Sequence, residues 1–590
     1  MIGLTIDGVQ VNFKQDTNFE YYKENPFFTK SGDYTYDIDI DLNDPVNQIV
    51  YKHIDRLHSF NKPTGRKACL FDGGRIICYG TEIILKKEEN ILKIQIVSGN
   101  SELNYFYAGD KKIRELDFGT IPQPRPEYAA SIANRRYPEV NYVFPPLLKS
   151  EDGNHSDSEF YNNINNFNVG SLQYDPNTKF YPQPFLLYYI EKIVEIVGYK
   201  VTYNCLLEEE RWRRLIVVNG YDSLEFAKLL PDWTANEFIT NCEKFFNVIF
   251  LVYSISNEVH IIPSKKYYND LTPIVLTKSE IIEDFNRDYE TDGSELYLDY
   301  NNVEYDLPSS TGYKYASISS TVLDKCTIQK ARMGDLWNVE DANWANNYII
   351  YYDEYIDLYF IRTGSVHNFR QVMQLQPSVK DESGDMVTLK IVPSEIHVER
   401  KKMVGSMMIP FDVFSFSPIP DYYANQSPSN FNDAIVNGVS DTASDIMKVA
   451  FYTGMVGLRH EAGQAYNHAS VYEMPMCICT KWQMLTLNPN GLFYIEPKEM
   501  VGNPQNMTLS LCGIDGRATV DFDNNLIVDT SQEHIIQIIT NQNLSPTSIY
   551  IIDNRRFYCK SLKYTVENGV RSNIIEGRFF PVLGSVPNFV

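Results

Sequence analysis

Between Glu24 and Leu42 the chain reads ENPFFTKSGDYTYDIDIDL. Asp33, Asp37, Asp39 and Asp41, with Thr35 among them, take alternate positions, and Tyr34, Tyr36, Ile38, Ile40 and Leu42 take the others. A period of two belongs to a strand, so the pattern predicts a half-buried strand with a row of carboxylates on one face. Ahead of it, LTIDGVQVNF predicts two short strands about Asp7-Gly8. Behind it, DPVNQIVYKHIDRLHSF places Val46, Ile49, Val50, Ile54 and Leu57 at helical spacing. Asp44 is its cap and Pro45 sits in its first turn. KACLFDGGRIICYGTEIILKKEENILKIQIVSG then predicts three strands, turning at Gly73-Gly74 and Glu89-Asn90.

From about residue 119 to 180 the periodicity is lost in Pro-, Asn- and Ser-rich stretches, which read as a long irregular excursion. It returns in QPFLLYYIEKIVEIVGYKV, an amphipathic helix closed by Gly198. LPDWTANEFITNCEKFFNVIFLVYSISNEVHIIPS follows. There Thr234 and Glu237 match a capping box, Phe238, Cys242, Phe245 and Phe246 line one helical face, and a hairpin turns at Asn257-Glu258. Between about 286 and 435, SELYLDYNNVEYDL alternates and NWANNYIIYYDEYIDLYFIR reads as strands. IMKVAFYTG, MTLSLCGI, TVDFDNN, SIYIIDNRRFYCKSLKYTVENG and IIEGRFFPV return to β, with turn signals at Asn524-Asn525, Asp553-Asn554 and Asn568-Gly569. The expected fold is mixed α/β and β-dominated, multidomain, with barrel-like β modules at both ends and an α/β insert. The expected divisions are an N-terminal barrel-like domain over 1–118, a loop-rich excursion over 119–180, a helix–hairpin domain over 181–285, a mixed β-rich region over 286–435 and a C-terminal β domain over 436–590. The end modules are of similar size, so a duplicated barrel is one reading of them.

Composition narrows the function. The chain has 590 residues, so about four domains are expected. The formal net charge is −23, which argues against a sequence-independent nucleic-acid binder and against an anionic membrane surface as partner. MIGLTIDGVQ lacks a basic segment followed by an apolar one, so no secretory signal is expected, and no apolar run reaches the ~20 residues of a membrane helix. Nine cysteines, odd in number and scattered, read as reduced and mostly buried thiols.

Candidate chemistry is sparse. Carboxylates on one strand face stand ~6.6 Å apart at ~3.3 Å per residue, too far for neighbours to share one ion easily. The acidic row therefore reads as a solvated face or as a functional acidic surface that repels a polyanion. His460-Glu461 and His468 are the nearest approach to a zinc-protease motif, but the histidines are eight apart with Gly463 between, so an exposed loop is expected. Cys477 and Cys479 share one side of a strand and read as two small buried hydrophobes. RWRR, Arg211, Trp212, Arg213 and Arg214, is the sharpest basic cluster. It reads as a solvated helix end, or as an interface contact with an acidic neighbour. No phosphate loop, dinucleotide fingerprint or nucleophile elbow appears, and no cofactor or metal is expected.

ENPFFTKSGDYTYDIDIDL, with HIDRLHSF and SGNSELNYFY, resembles tail proteins of phages and prophages of Bacteroidetes. LPDWTANEFITNCEKFFNVIFLVYSISNEVHIIP resembles the helix–hairpin module of tail hub proteins of the late-control type, and IDNRRFYCKSLKYTVENGV with IIEGRFFPV resembles that group's C-terminus. The resemblance covers the two ends and one central module and carries no catalytic residue. It implies a virion structural protein and not an enzyme: a tail or baseplate hub, a homotrimer or other ring around the DNA channel, between the tail tube and the spike or fibre proteins. Such a protein is made in the host cytoplasm, inserts in no membrane and meets DNA only as a passing polymer. Asp33, Asp37, Asp39 and Asp41 would then line the channel. The alternative is a tail-associated glycan-binding adhesin or cell-wall hydrolase, since Asn-, Pro- and Tyr-rich loops can form aromatic platforms for sugars.

Overall fold

Turn residues that accept a left-handed backbone shape the first module. Asp7 and Gly8 have φ of 48° and 80° and reverse the chain between strands Ile2–Ile6 and Val9–Val11. Strands Lys67–Asp72, Arg75–Glu88 and Ile91–Val97 follow as an antiparallel meander. The first of these three pairs with Ile2–Ile6 and the last with Ile38–Asp41. The ends of this curled sheet approach through one bridge, Phe13 to Ile40, where Lys14 N donates to Asp39 O at 3.0 Å. Among the described residues no continuous ladder joins them, so the module is barrel-like without being a closed barrel. The structure is a computed structural model. It describes residues 2–14, 16–29, 31–58, 65–102, 112–148, 163–168, 171–220, 223–264, 273–282, 286–288, 303–306, 327–330, 349–353, 358–362, 369–373, 387–394, 396–401, 413–418, 446–462, 471–479, 485–488, 491–494, 507–511, 516–522, 527–528, 533–540, 542 and 544–583.

The C-terminal module repeats this connectivity. Ile549–Ile552, Arg555–Glu567 and Val570–Leu583 form a meander. Its turns fall at Asp553-Asn554 and Asn568-Gly569, all four with positive φ. The strand that precedes the meander, Glu533–Ile539, pairs with its last member, as Ile38–Asp41 does in the first module. An earlier strand, Ile274–Leu276, pairs with its first member, as Ile2–Ile6 does. The segment after that earlier strand then bridges back, Ile281 to Ile538, the counterpart of Phe13 to Ile40. One difference stands out: Ile274–Leu276 runs parallel to its neighbour, whereas Ile2–Ile6 runs antiparallel.

The two modules are fused. Strand Phe19–Glu24 pairs along Ser561–Val566 on one side and with Tyr34–Thr35 on the other, which bridges on to Val97. One 15-stranded sheet results. It has one apolar core, in which Leu4, Ile38, Ile94 and Leu92 pack with Leu562, Val566, Ile575 and Phe579. Tyr21 stacks on Tyr564 across the seam, centroids 4.5 Å apart and planes 2° apart. Asn25 fixes the strand's end, its Nδ2 donating to Pro546 O at 3.0 Å and Cys559 O at 2.9 Å.

A second core lies in the middle of the chain. Helix Leu186–Ile196 ends before Gly198, whose φ of 95° suits glycine. Helix Ala235–Phe246 begins at the Thr234–Glu237 capping box and ends at Asn247 in the left-handed conformation. Its hairpin, Val248–Tyr253 with Glu258–Pro263, packs beneath it. Segments far along the sequence complete the core: Val303–Tyr305, Ile391–Pro393, the start of Met447–Ala462, and Met507, Leu509 and Leu511. Residues 119–180 also contribute to it. The described part holds a short helix, Pro126–Ser131, and two-residue strands, and buries Tyr137, Tyr142, Phe144, Phe167 and Tyr174. Asn165 replaces the missing ladder, its Nδ2 donating to the carbonyls of Pro145 and Tyr181, both at 2.8 Å.

β-dominated mixed α/β architecture is thus observed, and most predicted turns fall where the sequence places them. Four local expectations need correcting. The helix expected over 44–60 spans only Pro45–Val50, because Lys52 and His53 take positive φ. Its expected inner face is split: Val46, Ile49 and Leu57 are exposed, Ile49 at 70% and Leu57 at 90%, while Val50 and Ile54 pack against the sheet core. His460 and Glu461 are not in a loop: they lie on Met447–Ala462 and pair with Phe493 and Leu492. Part of the TVDFDNN stretch is a helical turn, Arg517–Val520, with Arg517 and Asp521 ion-paired at i,i+4. The described part of MTLSLCGI forms no named strand. Gly463, His468, Asn524 and Asn525 lie outside the described residues.

A shared core means shared stability. Replacing Tyr564 with Ala is expected to cost about 3–5 kcal/mol and to weaken amide-exchange protection in both Ile91–Val97 and Glu533–Ile539. Loss of protection confined to the C-terminal strands would show that the modules fold independently.

Candidate functional site

The acidic strand divides in two. Ile38, Ile40 and Leu42 are buried, so Asp37, Asp39 and Asp41 face out in the second half. In the first half Thr35 is buried and Tyr36 is exposed, the opposite phase. The slip falls between the strands Tyr34–Thr35 and Ile38–Asp41, and the Thr35 hydroxyl accepts the Ile96 N–H there at 2.9 Å. Asp33 therefore leaves the row and turns toward Lys23, with Tyr21 and Tyr564 close by. Burial pushes its carboxyl up to about 6, Lys23 opposing the shift and Glu24 adding to it. The others have neighbours: Gln95 Nε2 donates to Asp37 at 3.1 Å, Lys93 stands 3.9 Å from Asp39, and Asp41 accepts from Asn43 N at 2.8 Å.

The RWRR segment is a tight turn inside the central core. Trp212 and Arg214 are buried, and Arg211 nearly so. Arg214 Nε donates to Glu210 at 2.7 Å and Nη1 to Thr453 O at 3.3 Å. Arg213 Nε donates to Tyr137 O at 2.9 Å. Arg211 stacks on the Trp212 ring, 4.1 Å from its centroid, and reaches Asp521 at 2.6 Å. Asp521 also holds the buried Arg517 at 2.7 Å. Arg517 in turn donates to Tyr305 Oη at 3.0 Å and to Phe245 O. Burial alone would raise the Asp521 carboxyl, but Arg517 and Arg211 hold it below its ordinary value. Each of these arginines has at least one partner within the chain, while Arg214 Nη2 has no hydrogen-bond partner among the described residues.

A third polar cluster joins the N-terminal module to the helix–hairpin. Buried Glu102 accepts from Lys67 Nζ at 2.5 Å, from Tyr199 Oη at 2.5 Å and from Thr81 Oγ1. Beside it, Asn100 Nδ2 donates to Phe250 O at 2.6 Å, and Gly99 N, on a residue with φ of 59°, donates to Ser254 Oγ at 2.7 Å.

The seam carries a tyrosine face on its outer side. Tyr22 and Tyr34 stack with centroids 5.3 Å apart and planes 4° apart. Tyr36 meets Tyr22 edge-on at 5.3 Å and Tyr34 at 5.9 Å. Tyr22 Oη donates to Glu20 and Tyr34 Oη to Glu24, both at 3.0 Å. Burial, and then the Glu20 hydrogen bond, raise the Tyr22 hydroxyl, while burial and the Glu24 charge raise that of Tyr34. The alternation of the acidic strand places Tyr34 and Tyr36 inward, so its own pattern does not reveal this face. The signal was Tyr22, two residues after Glu20 on an adjacent alternating strand. The Arg517–Asp521 pair was also missed, and its i,i+4 spacing could have found it.

Cys477 and Cys479 are buried, with Cys479 Sγ 3.0 Å from Ser394 O. Burial raises both thiols, so they pack as small hydrophobes. No disulfide and no metal-holding cluster occurs among the described residues, nor does a helix long and apolar enough to cross a membrane. No family model and no curated protein matches the sequence. Among solved structures, the crystal structure of prophage MuSo2, 43 kDa tail protein from Shewanella oneidensis aligns with 98% of this chain and 95% of its own, at 8% identity and a TM-score of 0.30. A score that low does not define a shared fold.

Asp33 and Asp521 give opposite pH slopes. A folded-state value raised to about 6 means Asp33 binds its proton more tightly folded than unfolded. Its stabilisation is present near pH 4 and fades as pH rises through about 6. Asp521, depressed when folded, contributes above its unfolded value of about 3.9 and loses that contribution as pH falls further. Asp33→Asn is expected to raise the urea midpoint at pH 7.5 relative to pH 4.5. An unchanged pH profile would refute the assignment. Asp521→Ala, which leaves two buried guanidinium groups without their shared carboxylate, is expected to cost about 3–5 kcal/mol at pH 7 in the same measurement.

Proposed function

We propose that this chain is a structural component of a phage tail, a baseplate hub that assembles with copies of itself into a ring around the DNA channel, between the tail tube and the spike or fibres. The observation that carries the reading is the repeated connectivity. Two modules of one strand order, fused through a shared sheet, give each subunit two similar faces. Three such subunits offer six modules, the arrangement needed to match a six-fold tube on one side and a three-fold spike on the other. The resemblance of both chain ends and of the helix–hairpin to tail hubs points the same way. Interfaces, and not a cofactor or a reaction, are what this role requires.

In such a ring the chain's net charge of −23 keeps a passing phosphate polymer from adhering, because the Coulomb term that holds DNA on a basic surface changes sign. Of the acidic row, Asp37 and Asp41 are the better channel-facing candidates. Asp33 turns inward, and Asp39 is partly offset by Lys93.

Native mass spectrometry of the full chain at micromolar concentration is expected to give a closed ring, a trimer in the simplest case, that binds tail-tube subunits. A chain that stays monomeric and has no affinity for tube or spike subunits refutes the proposal. Replacing Asp37 and Asp41 with Lys is expected to make the assembled ring retain double-stranded DNA at low salt and release it as salt rises. Indifference to DNA in that variant would remove the two residues from the channel.

A further inference from the structure

Lys23 is a lysine inside a core. It lies on the seam strand Phe19–Glu24, is 7% exposed, and shares that strand's inner face with Tyr21. Tyr21 pairs with Thr35 and Tyr22 with Tyr34, and Tyr36 N, donating to Glu20 O at 2.9 Å, keeps the same register. One pair further along, that register sets Asp33 opposite Lys23. Opposite residues of an antiparallel pair point to one face with Cβ atoms about 4.5–5.5 Å apart, so the amine and the carboxyl reach into one space beneath the seam. The Asp33 backbone is fixed from its other side by Ser98, whose N–H donates to Asp33 O at 2.8 Å.

Aromatic rings border that space. Lys23 Nζ lies 5.8 Å from the Tyr564 centroid, and Tyr21 stacks on the same ring. Burial lowers the Lys23 amine and raises the Asp33 carboxyl to about 6, each against the opposing charge of the other. Both shifts favour the uncharged forms, a neutral amine and a carboxylic acid. The Tyr21 hydroxyl is buried and has no hydrogen-bond partner among the described residues; burial raises it, and the Asp33 carboxyl adds to the rise. We propose that Lys23 and Asp33 join in an isopeptide bond across the seam. Lys23 Nζ attacks Asp33 Cγ, and the Tyr21 hydroxyl donates to the carbonyl oxygen as charge gathers there. The acid's hydroxyl leaves as water, taking one proton from the amine, and an amide N–H remains, so no other reactant is needed. Two groups held on facing strands react as one molecule, with an effective concentration of roughly 10⁵–10⁸ M where they are well oriented. The bond closes the loop that carries Phe27 and Phe28 into their cluster with Ile249, Tyr558 and Phe580. Where it is complete, Asp33 has no proton to exchange, and the pH slope of Asp33 belongs to the unlinked chain. The inference rests on the seam and not on the tail reading.

The test is the intact mass of the denatured full chain, as purified and after prolonged incubation in the folded state, followed by peptide mapping. The chain is expected to be lighter than its sequence by one water, with a branched fragment joining the Lys23 and Asp33 peptides and no tryptic cleavage at Lys23. Lys23→Arg and Asp33→Ala should restore the full mass, and Asp33→Asn should form the same bond with loss of ammonia in place of water. Tyr21→Phe should slow bond formation roughly a hundredfold, with amide-exchange protection of Ser98 verifying that the seam is kept. Full mass in the unaltered folded chain, which a plain ion pair between the two residues predicts, would overturn the inference. So would a loss of water that persists in Lys23→Arg, the mark of a cyclic imide at Asp33.

Discussion

Two buried guanidinium groups draw their acceptors from distant segments, and that pairing organises the middle of this protein, although Arg214 Nη2 has no hydrogen-bond partner among the described residues. Arg214 and Arg517 have no access to solvent. A group with five N–H donors in that position is tolerated only where acceptors surround it. The acceptors come from distant parts of the sequence. Arg517 takes Tyr305, Phe245 and Asp521; Arg214 takes Glu210 and Thr453. The aromatic rings of Trp212, Phe245 and Phe522 fill the space between the charges. The donors that are met each select a particular neighbour, so the network acts less as a store of stability than as a definition of which segments may sit together.

The outer modules are defined differently. Their determinant is a backbone ladder, Phe19–Glu24 along Ser561–Val566, with apolar side chains beneath. Here polar groups serve the joints. Asn25 ties the strand's end to two carbonyls of the C-terminal module, Glu102 ties the N-terminal module to Tyr199, and Asn100 enters the hairpin edge at Phe250. Each is buried, so each has to be satisfied. The two large cores are thus joined by polar pins and by a smaller apolar cluster in which Phe27 and Phe28 meet Ile249, Tyr558 and Phe580.

Much of this was legible from pattern alone. Strands separated by Asp7-Gly8, Gly73-Gly74, Glu89-Asn90 and Asn568-Gly569 appear as predicted because turn chemistry is local and strong. The Thr234–Glu237 box and Gly198 mark their helix ends for the same reason. What failed was set by long-range contacts. Tyr36 faces out because the Thr35 hydroxyl captures a neighbouring strand's N–H and shifts the phase, which periodicity cannot register. The apolar spacing of Val46, Ile49 and Leu57 suggested a buried helix, yet the backbone turns left-handed at Lys52 and His53. RWRR was read as surface because charge usually is; its burial depends on Asp521, some three hundred residues away. The similar size of the two end modules suggests a duplication, but the repeated strand order itself lies in pairing and not in letters.

The pairing of the chain's two ends also fixes an order of events during synthesis. Asn25 and Cys559, joined by a hydrogen bond, are 534 positions apart. At about 5–20 residues per second a ribosome needs roughly half a minute to two minutes to supply the second after the first. Throughout that interval the nascent Phe19–Glu24 edge is open and the apolar floor beneath it half built. Truncated translation products would therefore emerge sticky, and a chaperone that shields that edge until release would decide the yield of finished protein.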